Sequence, residues 1–204
     1  MFIIGLTGGI GSGKSAAAKI LKELGLKIID LDQITYGLMK PGKLGYVKIK
    51  KEFGKKYLDI NSAIDRKLLR NEIFSSIDLK KRIESILHPI IFEECKKQLI
   101  KLKYEKYLVL VIPLLFETKN YINLIDESLL IDCDLKTQIK RVIRRDGVTE
   151  KLANRIIKNQ MIRDERLLLA DKVILNDGNI YHLKAKLESY CKNLLKDKKN
   201  NVQI

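Results

Sequence analysis

Residues 2–24 read FIIGLTGGIGSGKSAAAKILKEL. FIIGLT (2–7) is a short apolar run of strand type. A glycine-rich turn follows. The next stretch places Ile20, Leu21 and Leu24 with three alanines on one helical face, and Gly25 is a natural helix stop. Gly8-Gly9-Ile10-Gly11-Ser12-Gly13-Lys14-Ser15 between them fits the pattern GxxxxGK[ST], in the strand–turn–helix context that gives the pattern meaning. The glycines let backbone N–H groups converge on phosphate oxygens, and the helix N-terminus adds its positive end. Lys14 has the reach for the β- and γ-phosphates, and the Ser15 hydroxyl is a ligand for Mg²⁺. The expected nucleotide contacts are therefore Gly9, Gly11, Ser12, Gly13, Lys14, Ser15 and Ala16, with Ser15 on the metal. By itself the loop specifies only a nucleoside triphosphate.

Four further runs read as strands: KIID (27–30), YLVLVI (107–112), SLLIDC (128–133) and KVILN (172–176). Helical stretches separate them, which is the pattern of a parallel sheet covered by helices. The fold expected is α/β: a three-layer P-loop core with a five-stranded parallel sheet. Its parts are residues 1–32, 101–140 and 168–192. Residues 33–100 form a helical insertion, because Leu68, Leu69, Ile73, Phe74 and Ile77, then Ile83, Ile86 and Leu87, recur at helical spacing. Asp65 and Asp78 are candidate N-caps there. An arginine-rich excursion interrupts the sheet before its last strand, with a lid over 141–167. The basic tail, 193–204, is expected to fray.

The chain has 204 residues, 46% of them apolar, which supports a real core and excludes a disordered polymer. Its net charge of +15 raises the question of a nucleic-acid partner. The 40 basic residues are scattered and mostly lysine, with no stripe interleaved with aromatics, so the charge reads as compositional drift and no nucleic acid is expected. Cys95, Cys133 and Cys191 make neither a CxxC pair nor an even disulfide set, which suits a reducing compartment. The N-terminal apolar run is too short for a signal peptide or a membrane span. A cytoplasmic protein, a monomer or weak oligomer, is the expectation.

A GTPase would carry NKxD and DxxG strings, and neither occurs. A small kinase fits the length: a compact sheet, a helical acceptor-binding lobe and an arginine-rich lid. The second strand ends Asp30-Leu31-Asp32, at the edge of a parallel sheet where ligands bind. One carboxylate there suits the proton of an acceptor hydroxyl, and the other suits Mg²⁺ or support of the first. Asp32 also precedes a helix, where Asp is a favoured cap. Pro113-Leu114-Leu115-Phe116-Glu117 ends the third strand, so Leu114, Leu115 and Phe116 are candidate walls of an acceptor pocket and Glu117 a candidate polar contact. Asn176-Asp177-Gly178 forms a turn after the last strand, with Asn176 and Gly178 as candidate contacts to the base. Arg141 and Arg145 share a helical face. Either is suited to the spread charge of a transferring phosphoryl group. His88-Pro89 reads as a helix stop.

TGGIGSGKS (7–15), IIDLD (28–32), HPII (88–91), IPLLFE (112–117), TQIKRVIRRDG (137–147) and ADKVILNDG (170–178) together resemble the dephospho-CoA kinase family, across roughly residues 1–180. The resemblance implies ATP-dependent phosphorylation of the ribose 3′-hydroxyl of dephospho-CoA. It also implies that the insertion binds CoA; beside the phosphate loop, Asp32 and Lys14 are the expected catalytic residues and Asp30 an expected substrate contact. It places Arg145, just before the Asp of the RDG string, at the phosphoryl group, Arg163 in the lid, and His88 near the CoA site. Two departures stand out: Thr35-Tyr36 occupies the place of the family's Ala-Arg, and Ala16 the place of a frequent Thr.

Overall fold

The computed structural model describes residues 1–118 and 120–200, with the side chains of residues 70, 74, 75 and 196–200 outside that set. The helical position read at Phe74 and the tail residues 201–204 therefore lie outside the described side chains or residues.

The first of two compact units comprises residues 1–29 and 104–204. Its strands are β1 (Phe2–Thr7), β2 (Lys27–Asp30), β3 (Tyr107–Val111), β4 (Glu127–Asp132) and β5 (Lys172–Leu175). Two match their sequence readings residue for residue, and the other three lie within a residue of theirs. The sheet order is β2-β3-β1-β4-β5. The β1–β3, β1–β4 and β4–β5 pairs are parallel, with Phe2 opposite Tyr107 and Ile4 opposite Glu127. The apolar runs are continuous because both faces are covered. Ile4, Leu6, Val109, Val111, Leu129 and Ile131 face a cluster with Ala17, Ile20 and Leu21 of α1 (Lys14–Glu23) and Leu183 and Leu187 of α10 (Ile180–Asn200). The alternate residues Leu108, Leu110 and Leu130 are buried as well. The tail expected to fray from residue 193 is helical through Asn200, as the continuation of α10.

The strand order fixes where a ligand binds. β1 leads toward β2 on one side, and β4 leads toward β5 on the other. Connections that leave neighbouring strands in opposite directions open a crevice at the strands' C-terminal ends. The glycine loop leaves β1 there, and α7 (Leu135–Asp146) leaves β4 there. Beyond α7, α8 (Glu150–Lys158) and α9 (Arg163–Leu169) lead to β5.

The second unit comprises residues 30–103. It contains α2 (Leu31–Leu38), α3 (Leu44–Phe53), α4 (Arg66–Ser75) and α5 (Ile77–Lys101). Ile83, Leu87, Ile91, Cys95 and Leu99 recur every four residues as the buried stripe of α5, which packs on α2, α3 and α4. Tyr57 is buried beside Phe53 and donates its hydroxyl to Glu72 at 2.6 Å. Two sequence readings change here. His88-Pro89 does not stop a helix but sits inside α5. Buried Leu87 and Ile91 flank the proline, and packing along the whole stripe outweighs the roughly 3 kcal/mol that an interior proline costs. Asp65 caps α4 as expected, whereas α5 is capped by Ser76, whose hydroxyl accepts from Leu79 N–H, and Asp78 lies in its first turn.

Candidate active site

The glycine loop is built by close backbone approach. Gly11 and Gly13 have φ of +75° and +100°, in the left-handed region. A Cβ on Gly13 would also lie 2.1 Å from Asn176 Nδ2. Ser12 N–H donates to Gly9 O at 3.1 Å, and Gly13 opens α1 without a side-chain cap. The helix start is thus left to whatever anion the loop holds.

Side chains from distant segments clamp this loop. Gln138 donates to Ile10 O at 3.0 Å, and Gln160 accepts from Ile10 N–H at 2.9 Å. Asn176 Nδ2 donates to Ser12 O at 2.7 Å, and its own N–H is held by Asp132 O at 2.7 Å. Arg141 Nη1 reaches Ser12 O at 3.3 Å and Gly11 O at 3.5 Å, while Nη2 reaches Gly178 O at 3.5 Å. The carbonyls of Ile10, Gly11 and Ser12 are therefore engaged by side chains, as is the Ile10 N–H. Ser15 is exposed at the first turn of α1, with its hydroxyl available to a metal. Among the described residues no cluster of three or more His, Cys, Asp or Glu could hold a metal ion.

The arginines divide sharply. Arg141 touches the loop. Arg145 does not: its Nε and Nη2 each meet an Asp146 oxygen at 2.8 Å, and that bond raises its pKa. Sharing a helical face with Arg141 was insufficient, because the adjacent carboxylate at the end of α7 captures the guanidinium. Arg163 grips Asp132, buried at the end of β4, with its closest contact at 2.6 Å, and its pKa is raised by that bond. Arg166 is only 4% exposed and packs against the loop at Gly9. Sequence reading missed Arg166, Gln138 and Gln160. The glutamines' partner, Ile10, lies more than 100 residues away, as does Gly9, against which Arg166 packs, and the one local hint is a glutamine on the buried face of α7.

At the end of β3, Leu115 is fully buried on α6 (Leu115–Thr118) and Phe116 nearly so. Leu115 packs into the core, Phe116 lines a cavity with Ile122, Ile125 and Leu169, and Leu114 is half-buried. Glu117 accepts from Met161 N–H at 3.2 Å, which ties the end of β3 to the segment before α9. Cys133 lies 3.9 Å from Gly11 O, and burial pushes its thiol up to about 11, so it is a packed apolar group and not a nucleophile.

In the second unit, Asp30 rather than Asp32 caps α2. Its carboxylate accepts from Asp32 N–H at 2.8 Å and Gln33 N–H at 3.3 Å. Asp32 is exposed in the first turn. One turn further on, Tyr36 is exposed, with the Arg66 guanidinium 4.7 Å and the Lys40 ammonium 5.2 Å from its ring centre. A cationic group therefore stands beside position 36 although the residue there is aromatic. His88 is half-buried on α5.

A family model described as dephospho-CoA kinase matches residues 2–182. The chain belongs to this family. The dephospho-CoA kinase of Nitrosospira multiformis is 38% identical over 192 residues, 94% of this chain and 96% of that one. The dephospho-CoA kinase of Chromobacterium violaceum is 39% identical over 198 residues, 95% and 97% of the two chains. Among solved structures, dephospho-CoA kinase from Campylobacter jejuni superposes with a TM-score of 0.70 at 28% identity, over 96% of this chain and 98% of that one. The Thermus thermophilus protein TT1252 gives a TM-score of 0.80 at 28% identity, with 95% and 97% covered. A shikimate kinase from Acinetobacter baumannii, 14% identical with a TM-score of 0.53 over 97% and 95% of the chains, shares the fold alone. The match establishes a dephospho-CoA kinase, a P-loop phosphotransferase that uses ATP. Among the described residues no helix is long and apolar enough to cross a membrane.

Proposed function

We propose that this kinase moves the terminal phosphoryl group of MgATP to the ribose 3′-hydroxyl of dephospho-CoA by positioning and charge neutralisation. Lys14 and the loop amides hold the phosphates. Ser15 Oγ is the side-chain oxygen that would hold Mg²⁺, which when bound neutralises phosphate charge. Asp32 orients the acceptor hydroxyl and takes its proton, a role worth ~10²–10⁴ in rate. Asp30 serves Asp32 by fixing the start of α2. Arg141, rather than Arg145, stands at the nucleotide side, because its guanidinium already touches the loop. Residues 30–103 carry acceptor recognition, with Arg66 and Lys40 beside Tyr36 as the cations suited to acceptor phosphates. Residues 141–167 act as a lid that excludes water.

The observation that supports this reading best is the clamped loop: the carbonyls of Ile10, Gly11 and Ser12 engaged by side chains, with Lys14 and Ser15 at the helix start. A coupled ADP-release assay with Mg²⁺ and ATP tests it. Turnover is expected with dephospho-CoA, giving a product with the mass of coenzyme A, and not with AMP, adenosine or shikimate. Turnover confined to another acceptor would overturn the assignment of substrate.

A further inference from the structure

The arginines near the nucleotide crevice have different partners. Arg145 and Arg163 are each bidentate with an aspartate. Arg166, the most buried of the three at 4% exposed, has no carboxylate partner among the described residues. Its Nη1 donates to the main-chain oxygen of Met161, and its Nε is buried with no acceptor. Acidic neighbours are at hand in sequence, Asp164 and Glu165, yet neither pairs with it. A guanidinium stays charged at any working pH. Burying it without a counter-charge is costly. A site that holds such a cation is complete only with an anion.

The location says which anion. A Cβ on Gly9 would sit 3.0 Å from Arg166 Nη2, so the guanidinium packs directly on the strand side of the phosphate loop. Gln138 flanks the same spot: its Nε2 would lie 2.5 Å from that Cβ. Lys14 and Ser15, at the start of α1, serve the β- and γ-phosphates and the metal between them. The terminal phosphate carries the most charge of the three, so it is the one to which a second cation on the loop is suited. We infer that Arg166 is a γ-phosphate contact: its guanidinium, held by Met161 O against Gly9, is neutralised by the terminal phosphoryl group of ATP. The same contact strengthens as charge spreads over the transferring group. This inference rests on the reading of the loop as the ATP site. It does not depend on the acceptor.

The test is equilibrium binding of Mg·ATP and Mg·ADP, without acceptor, to the wild-type protein and to Arg166→Met and Arg166→Lys. Arg166→Met is expected to weaken ATP by about tenfold or more, the scale of one charge-assisted hydrogen bond, and ADP by less than about twofold. Arg166→Lys should recover part of the loss. Equal weakening of both nucleotides would make Arg166 a buttress of the loop, and no change in either would remove it from the site; both results overturn the inference. Should the variants fail to fold, the Arg166 Nε–H resonance of the wild-type protein decides. It should shift with a non-hydrolysable ATP analogue and stay put with ADP, and a resonance indifferent to the γ-phosphate overturns the assignment. Because dephospho-CoA is absent throughout, a failure here is distinct from a failure of the acceptor assay.

Discussion

The glycine loop and the start of α2 are both turns that carry the chain from a strand into a helix, and they are held in opposite ways. The loop after β1 has no side-chain cap of its own. Its geometry is imposed by Gln138, Arg141, Gln160 and Asn176, which lie between 128 and 164 residues away. The turn after β2 is held from within: Asp30 caps the helix that begins at the next residue. A turn clamped from afar is a fixed mould, and its carbonyls cannot rotate inward when the ligand leaves. A turn capped locally fixes only the helix start and leaves Asp32 exposed. The contrast matches the two tasks proposed for them, since phosphates need a rigid cradle and a hydroxyl needs a reachable carboxylate.

Removing the charge from the rigid cradle should produce the largest effect. Lys14→Ala is expected to abolish turnover in the ADP-release assay, while the thermal midpoint stays within a few degrees of wild type. Turnover within tenfold of wild type would show that the clamped backbone suffices. Next comes the local turn. Asp32→Asn should lower kcat by about a hundredfold or more with ATP binding intact. Asp30→Ala should instead lower stability by about 1 kcal/mol, as loss of a cap does. If the two variants behaved alike, the division between cap and base would fail.

A smaller effect concerns another long-range tether. Asp171, just before β5, accepts from Ser128 N–H at 2.8 Å and from Ser128 Oγ at 2.6 Å, and these bonds hold its carboxyl below the ordinary range. A depressed carboxyl stabilises the fold above its unfolded pKa near 4, and that contribution is lost as the pH falls through the lower folded value. With solvent screening the gain is at most about 1 kcal/mol. Denaturant melts of Asp171→Asn should therefore fall below wild type at pH 6 and converge with it near pH 3. A gap that persisted at low pH would assign the loss to packing. The smallest effect is expected from Arg145→Gln, which should change kcat by less than about threefold because Asp146 already occupies that guanidinium. Arg141→Gln, assayed beside it, should cost more.

The strands and the phosphate loop were legible because their signals are local and strong. A strand buried on both faces reads as an unbroken apolar run. GxxxxGK[ST] between strand and helix has few other meanings. What was misread depends on choices that local signals leave equal, or on partners far along the chain. Asp30 and Asp32 are equally good caps by residue type, and so are Ser76 and Asp78; backbone geometry chose the first of each pair. Pro89 argues for a helix end until the stripe on both sides of it is seen to pack. Leu115 stands at the ligand edge of its strand yet turns into the core. Nothing near Arg166 in sequence separates it from Arg163, since what distinguishes them is which one finds an aspartate.

The strand order also has a consequence for synthesis. β1 pairs with β3 and β4, so Phe2 waits for Tyr107, and Ile4 for Glu127 as well. The first strand thus leaves the ribosome about a hundred residues ahead of its earliest neighbour, with apolar Ile3, Ile4 and Leu6 unpaired. The helices of residues 30–103 find their partners within their own segment and emerge during that wait. Loop closure across a segment already compacted is shorter than across an open chain. The insertion therefore shortens the search by which the sheet closes.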